Sequence, residues 1–266
     1  MDHLQAKSLP KKGDLSDPNN WRPIMLLEVI QKIMSSMFTQ RLAELLTHLG
    51  LPEQFGFQKG MGTTDGSFVL RQSINLRQEA GLDSYVLFVD LVKAFDTVPR
   101  YGMLLVLAKY GVPKKILSWI ERINEEVTVK VEIDGARDTF TSCTGVKQGN
   151  NISPALFLFM MQAFVELVRN QEVTGKEWPG RLALRTRRDG VMTGRPREAG
   201  GKDSKKLHAA VDSMAAFRGN ELGTGILEFD MGTSLYADDA GFQFVTKEAP
   251  VTATNIIYER LERMGL

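Results

Sequence analysis

Cysteine is almost missing from this chain of 266 residues, where Cys143 stands alone. That excludes an internal disulfide and any zinc knuckle built from several cysteines. Cys143 itself reads as a small buried residue. No charge of one sign dominates, since 33 Lys and Arg face 32 Asp and Glu for a net charge of +1. A near-neutral total does not exclude a charged cleft, because distribution matters more than the sum. No apolar segment opens the chain as a secretory leader would. The densest apolar stretch, Ala155 to Met161, is too short to span a membrane and reads as part of an amphipathic helix. No internal repeat is visible. These absences point away from secretion and from membranes, toward a reducing interior, cytoplasmic or nuclear. The bulk of the chain is ordinary for a globular protein, 43% apolar and 24% charged. Its length can bury a sizeable core in one large domain or two subdomains.

Periodicity gives the organisation. Residues 1–20 are polar and read as a loop or a loose hairpin. From about Leu26 to Leu49, Val29, Ile30, Ile33, Met34 and Met37 recur at helical spacing, and Gly50 suits the helix end. A second helix is predicted over about Asp65 to Ala80, with Asp65 as its N-cap. Ser84 to Val89 reads as a short buried strand. Asp96 or Thr97 is expected to cap a helix with Pro99 in its early turn, Met103, Val106, Leu107 and Tyr110 on one face, and Gly111 at its close. Pro113 to Asn124 reads as another helix. Val127, Val129, Val131 and Ile133 alternate with polar residues, a half-buried strand turned into a hairpin by Asp134-Gly135. The mixture, without a parallel crossover rhythm, favours an α+β fold with helices backing an antiparallel sheet. Residues 171–220 differ, with eleven Lys and Arg against six Asp and Glu. Asp189-Gly190 suggests a hairpin at its start, and Arg195 to Lys206, rich in Gly and charge, reads as a mobile loop. A solvated insertion is the plain reading. A basic surface for nucleic-acid phosphates is the sharper one.

Three motifs carry chemistry. Tyr236-Ala237-Asp238-Asp239 lies between two apolar, strand-like runs, Ile226 to Leu235 and Gly241 to Val245, which places the two carboxylates at a hairpin tip. Adjacent like charges repel, whereas a divalent cation with oxygen ligands would favour them. Taken alone, they are ordinary turn residues. Asp90 ends the Ser84–Val89 strand, and a carboxylate there beside the Asp pair suits a two-metal phosphoryl-transfer site. Gly145 to Pro154 is a Gly-rich stretch before an apolar helix, with Ser153 as N-cap and Pro154 as first helical residue. Its glycines let backbone approach a ligand closely, and Gln148 is placed to contact a base pair or a sugar.

Phe88-Val89-Asp90 with Lys93-Ala94-Phe95-Asp96, then Gln148-Gly149 with Ser153-Pro154, then Tyr236-Ala237-Asp238-Asp239, resembles in order the reverse transcriptases. The run Leu9 to Asp14, Asn20-Trp21-Arg22-Pro23-Ile24, Gln54-Phe55-Gly56-Phe57 and Thr63-Thr64-Asp65 resemble the branch of non-LTR, LINE-like retrotransposons. The resemblance implies a right-hand polymerase: fingers over residues 1–82, and a palm over 83–266 with an antiparallel sheet and a basic insertion at about 171–224. The chain ends at Leu266, soon after the Asp pair, so no thumb is expected. It implies RNA-directed DNA polymerisation, with Asp90, Asp238 and Asp239 as catalytic metal ligands for two Mg²⁺ ions, or Mn²⁺ in their place. RNA template, DNA primer and deoxynucleoside triphosphates would be the partners. Lys11 and Arg22 would meet the triphosphate, Arg through its planar fork. Phe95 would lie beneath the sugar, with Leu91, Gln148, Gly149 and Tyr236 completing the substrate site.

The chain departs from the family pattern at Gln58, where Arg is usual, and at Lys147 to Ile152, which reads Lys-Gln-Gly-Asn-Asn-Ile in place of Arg-Gln-Gly-Cys-Pro-Leu. Neither change removes a metal ligand. Two alternatives stay open: an RNA-dependent RNA polymerase of the same palm, against which Phe95 and Tyr236-Ala237 argue, and a silent remnant that only binds nucleic acid.

Overall fold

The computed structural model describes residues 3–17, 20–125, 127–133, 136–170, 175, 178–180, 182–187 and 226–266. The Asp134-Gly135 turn, the Asp189-Gly190 turn and the 195–206 loop lie outside them. Nine strands and seven helices are described, in three sheets. The chain opens with a true hairpin, strand β1 (His3–Pro10) antiparallel to β2 (Trp21–Leu26). Helix α1 (Val29–Leu49) follows, then α2 (Thr63–Glu79), strand β3 (Tyr85–Val89), a single turn α3 (Ala94–Thr97), and helices α4 (Arg100–Lys109) and α5 (Lys114–Ile123). Strands β4 (Val127–Ile133) and β5 (Ala136–Ser142) pair as the expected hairpin. Helix α6 (Ser153–Arg169), strands β6 (Ala183–Arg187), β7 (Ile226–Asp230), β8 (Thr233–Tyr236) and β9 (Asp239–Phe244), and helix α7 (Ala249–Met264) complete the order.

One sheet runs β2-β1-β4-β5 and contains a parallel pair, β1 beside β4. It joins the first hairpin to one from beyond residue 83. The second sheet, β3-β9-β8, is antiparallel throughout. Strand β7 pairs with β6 in a separate ribbon, so the apolar run from Ile226 to Leu235 forms two strands rather than one.

Helix α6 is the centre of the core. It packs against α1, α4 and α7, and Leu156, Phe157, Phe159, Met160, Phe164 and Val165 are each at most 1% exposed. Its Ala155–Met161 stretch is buried on every side, as a helix segment enclosed by others must be, while Glu166 nearer its C-terminus is exposed. One face of the second sheet, with Leu235, Ala240, Phe242 and Phe244, closes on the same core.

Four local expectations are corrected. Cys143 is exposed, because it follows the end of β5, the edge strand of its sheet. Helix α2 is capped at Gly62, with Asp65 reaching back to accept the Gly62 N–H at 2.7 Å. Ser153 is itself helical, and its hydroxyl donates to the Lys147 carbonyl at 2.8 Å instead of capping. Neither Asp96 nor Thr97 caps α4. Proline biases the residue before it toward extended backbone, so α3 stops at Val98 (ψ 119°) and Pro99 becomes the cap.

Candidate active site

The β8–β9 hairpin closes at Tyr236 opposite Asp239, leaving Ala237 and Asp238 at its tip. Ala237 takes a left-handed φ of +57°, which costs a non-glycine residue on the order of 1 kcal/mol. Strand β3 lies on the other side of β9 with Val89 opposite Ala240. Asp90, one residue further, is therefore level with Asp239. Side chains alternate along a strand, so Val89, Leu235 and Ala240 turn to the core while Asp90, Asp239 and Tyr236 share the opposite face.

Asp238 is half-buried at this tip. Burial pushes its carboxyl above the usual carboxylate range, and the charges of Asp239 and Asp90 push it further the same way. A backbone hydrogen bond and the Arg22 guanidinium act against that rise. The three carboxylates thus feel one another, and Arg22 belongs to the same electrostatic neighbourhood.

Asp238 opens onto a cavity of about 780 Å³. Its lining comes from the first hairpin (Lys11, Trp21, Arg22), from the segment after β3 (Lys93, Phe95, Asp96), from Phe57, and from the loop before α6 (Gln148, Gly149, Asn150). Three cations and a carboxylate tip on one concavity suit a polyanion accompanied by a metal ion. Phe95 stacks on Phe157 with centroids 4.5 Å apart and meets the Phe57 ring edge-on at 6.2 Å. It is both core packing and cavity wall. Gln148 is held at both ends: its carbonyl accepts the Met25 N–H at 2.8 Å, and its Nε2 donates to Asp96 Oδ1 at 2.8 Å. Gly149 has φ +103°, and an added Cβ would lie 2.7 Å from the Met25 carbonyl. Its close backbone approach is thus to β2, which seats the loop against the first hairpin.

Lys11, Arg22, Phe95, Gln148, Gly149 and Asp238 therefore meet at one cavity. Asp90 and Asp239 stand beside Asp238 without lining it, and Leu91 and Tyr236 lie away from it, Leu91 half-buried against the core. Sequence reasoning did not single out Trp21, Phe57, Lys93 or Asp96 for this cavity. Asp96 had no local signal, because its partner is 52 residues away.

Among the described residues, no group of three His, Cys, Asp or Glu side chains is gathered tightly enough to hold a metal ion unaided. The donor set still fits a hard divalent cation. Mg²⁺ is commonly held by one or two carboxylates while substrate phosphates supply further oxygens, and Asp238 sits among carboxylate charges that such an ion would offset. Among the described residues no helix is long and apolar enough to cross a membrane.

A family described as "Reverse transcriptase (RNA-dependent DNA polymerase)" matches residues 9–185. That span holds Asp90 and Gln148 but ends before Asp238. The chain is 32% identical over 157 residues to a retrovirus-related Pol polyprotein from the type-1 retrotransposable element R2 of Popillia japonica, covering 58% of this chain and 22% of that protein. It is 29% identical over 188 residues to an uncharacterized 149 kDa protein of transposon TX1 from Xenopus laevis, covering 69% and 14%. The chain thus spans less than a quarter of the length of these relatives. Among solved structures, it is similar to telomerase from Candida albicans in complex with a fragment of telomeric RNA. There the TM-score is 0.55 at 10% identity, over 100% of this chain and 41% of that one. The apo telomerase of Candida tropicalis gives 0.55 at 12% identity, over 99% and 42%. At such identities the likeness shows a shared mixed α/β, polymerase-like fold.

Proposed function

The chain belongs to the reverse transcriptase family, and from that premise we propose that it carries the nucleotidyl-transfer centre of an RNA-directed DNA polymerase of the non-LTR retrotransposon type. The observation that carries this reading is the convergence of Asp238, flanked by Asp90 and Asp239, on a cavity that also presents Lys11, Arg22 and Lys93. Residues 1–82 act as fingers and residues 83–266 as palm. The division is one of role, since strands β1 and β4 share a sheet across it.

Asp90, Asp238 and Asp239 would hold the metal, two Mg²⁺ ions or Mn²⁺ in their place. When bound, the ions would lower the cost of charge on the attacking and leaving oxygens of the transfer. The chain's own residues do the rest. Arg22 and Lys11 draw the triphosphate from the first hairpin, Arg22 with a fork that matches phosphate oxygens. Phe95, braced by Phe157, forms a hard floor at the sugar and leaves no room for a 2′-hydroxyl. Gln148, tethered by Asp96, presents its remaining polar atoms to the nucleotide. RNA template and DNA primer lie across the same opening.

Primer extension on an RNA template with deoxynucleotides and Mg²⁺ or Mn²⁺ tests the reading. Extension is expected with the intact carboxylates in an active, longer context. Asp238→Asn should abolish it while leaving the thermal transition in place or raised, because it removes charge from a repulsive cluster. Normal extension by that variant would overturn the assignment.

A further inference from the structure

The turn that carries Asp238 does not stand on its own. Gln54 lies 183 residues earlier, only 4% exposed, and its side chain is spent on that turn. Its Oε1 accepts the Ala237 N–H at 2.9 Å and the Gly56 N–H at 2.9 Å. Its Nε2 lies 3.4 Å from the Ala237 carbonyl, a long donor contact. One amide therefore grips both polar groups of the single residue that adopts a left-handed φ at the hairpin tip.

The backbone around Gln54 makes the same connection. Gln54 forms a parallel bridge with Leu235. Phe55 N–H donates to the Leu235 carbonyl and Leu235 N–H to the Glu53 carbonyl, each at 2.8 Å. Behind it, Arg169 reaches both Glu53, at 3.4 Å, and Thr233 of β8, at 2.9 Å. Gly56 approaches so closely that an added Cβ would lie 2.3 Å from the Ala237 nitrogen. Gly56 has an unremarkable φ, so the close approach explains this glycine where backbone freedom does not.

We infer that Gln54 is the positioning residue for Asp238: by holding both polar groups of Ala237, it fixes the left-handed turn that aims the carboxylate into the cavity. An apolar side chain of the same length would fill the space as well. It would leave two buried N–H groups without an acceptor and free the turn to relax toward a backbone that L-residues prefer. The inference rests on Asp238 as a metal-ligating carboxylate, and its first readout does not.

The test uses the whole chain and two probes, amide hydrogen exchange and Mn²⁺ alone. In the wild type, the Ala237 amide should exchange as slowly as that of Leu235 in the strand, although it lies at a hairpin tip. Exchange at the rate of an open turn would overturn the clamp without any variant. Gln54→Met should raise Ala237 exchange at least tenfold and weaken Mn²⁺ binding several-fold, with Leu235 still protected. Gln54→Glu keeps an acceptor for both N–H groups and should restore the protection. Gly56→Ala, which forces the turn away from the backbone side, should reproduce the Met result. A merely structural role would lower the melting temperature in Gln54→Met while Ala237 protection and Mn²⁺ affinity stay at wild-type values, and that result sinks the proposal. Protection at Ala237 with no Mn²⁺ binding by the wild type would instead count against the polymerase reading and leave the clamp standing.

Discussion

Phe95 shows two roles in one side chain, since the ring that faces the cavity is also stacked on Phe157. Phe95→Val should admit ribonucleotides more readily, measured as the ratio of ribo- to deoxynucleotide incorporation. It should also cost some stability, less than the roughly 3–5 kcal/mol typical of Phe→Ala in a core. An unchanged ratio with activity retained would reduce Phe95 to packing. Lys147 gives a prediction in pH. Burial, reinforced by the Arg100 charge, lowers its ammonium from 10.5 to about 8. A base with a lower pKa when folded binds fewer protons than in the unfolded chain. Its charge therefore opposes folding below about pH 8, and the opposition fades as pH rises from about 8 to 10.5. Lys147→Met should melt higher than the wild type at pH 7, with most of that advantage gone by pH 10.5. An equal difference at both pH values would show that the gain is packing alone. Single residues were legible in the sequence where chemistry is local. The proposed ligands Asp90, Asp238 and Asp239 stand out by residue type and by their places at strand ends. Gln54 does not, because what makes it matter is a backbone 183 residues away.

At the scale of elements, apolar spacing located α1, α2, α4 and α5 to within a few residues, but it did not always name the buried face: in α1 the residues Val29, Ile30, Ile33 and Met37 are exposed while Leu42 and Leu46 reach the core. Ser153-Pro154 located α6 as well, but did not show that the seven apolar residues in a row at its start are buried on every side, since that depends on the three other helices packed against it. The caps slipped for a related reason. Ser153 has the right side chain for a cap, but a tertiary acceptor, the Lys147 carbonyl, claims its hydroxyl. The loop from Thr144 to Gly149 shows how one element positions another. Arg100 at the start of α4 donates to the carbonyls of Ser142, Thr144 and Gly145. Gly145 N–H and Val146 N–H donate to Val98 and Phe95. Gly145 has φ +76°, and an added Cβ would lie 2.6 Å from the Asp96 carbonyl. Gly145→Ala should therefore destabilise by more than about 1 kcal/mol. It should also raise the KM for nucleotide more than it lowers kcat, since the Gln148–Asp96 tether moves with the loop. A lowered kcat at constant KM would place the loop's role elsewhere.

Taken whole, the molecule is nearly uncharged, at +1, so affinity for nucleic acid must come from where its cations lie. With no triphosphate present, Lys11, Arg22 and Lys93 at the cavity can meet about three phosphates of a primer–template. Each neutralised phosphate contributes roughly −0.9 to the slope of log affinity against log salt on a duplex. Binding of a primer–template should then be weak and fall a few tens of fold between 50 and 200 mM salt, a slope near −3, by the same relation. A much steeper slope, read by fluorescence anisotropy, would mean that other basic surfaces engage. Lys114, Lys115 and Arg122 around Trp119 are the first candidates among the described residues.

The parallel pairing of β1 with β4 also sets an order in time. Leu4 lies beside Val129, so the first hairpin cannot acquire its third strand until synthesis has passed β4. Gln54 waits longer still, for an Ala237 made 183 residues after it. Synthesis proceeds at roughly 5–20 residues per second. The first hairpin and α1, with Val29, Ile30 and Ile33 exposed in the fold, would therefore wait roughly 5–20 s for β4. The Gln54–Ala237 contact can close only after the β8–β9 hairpin has been made.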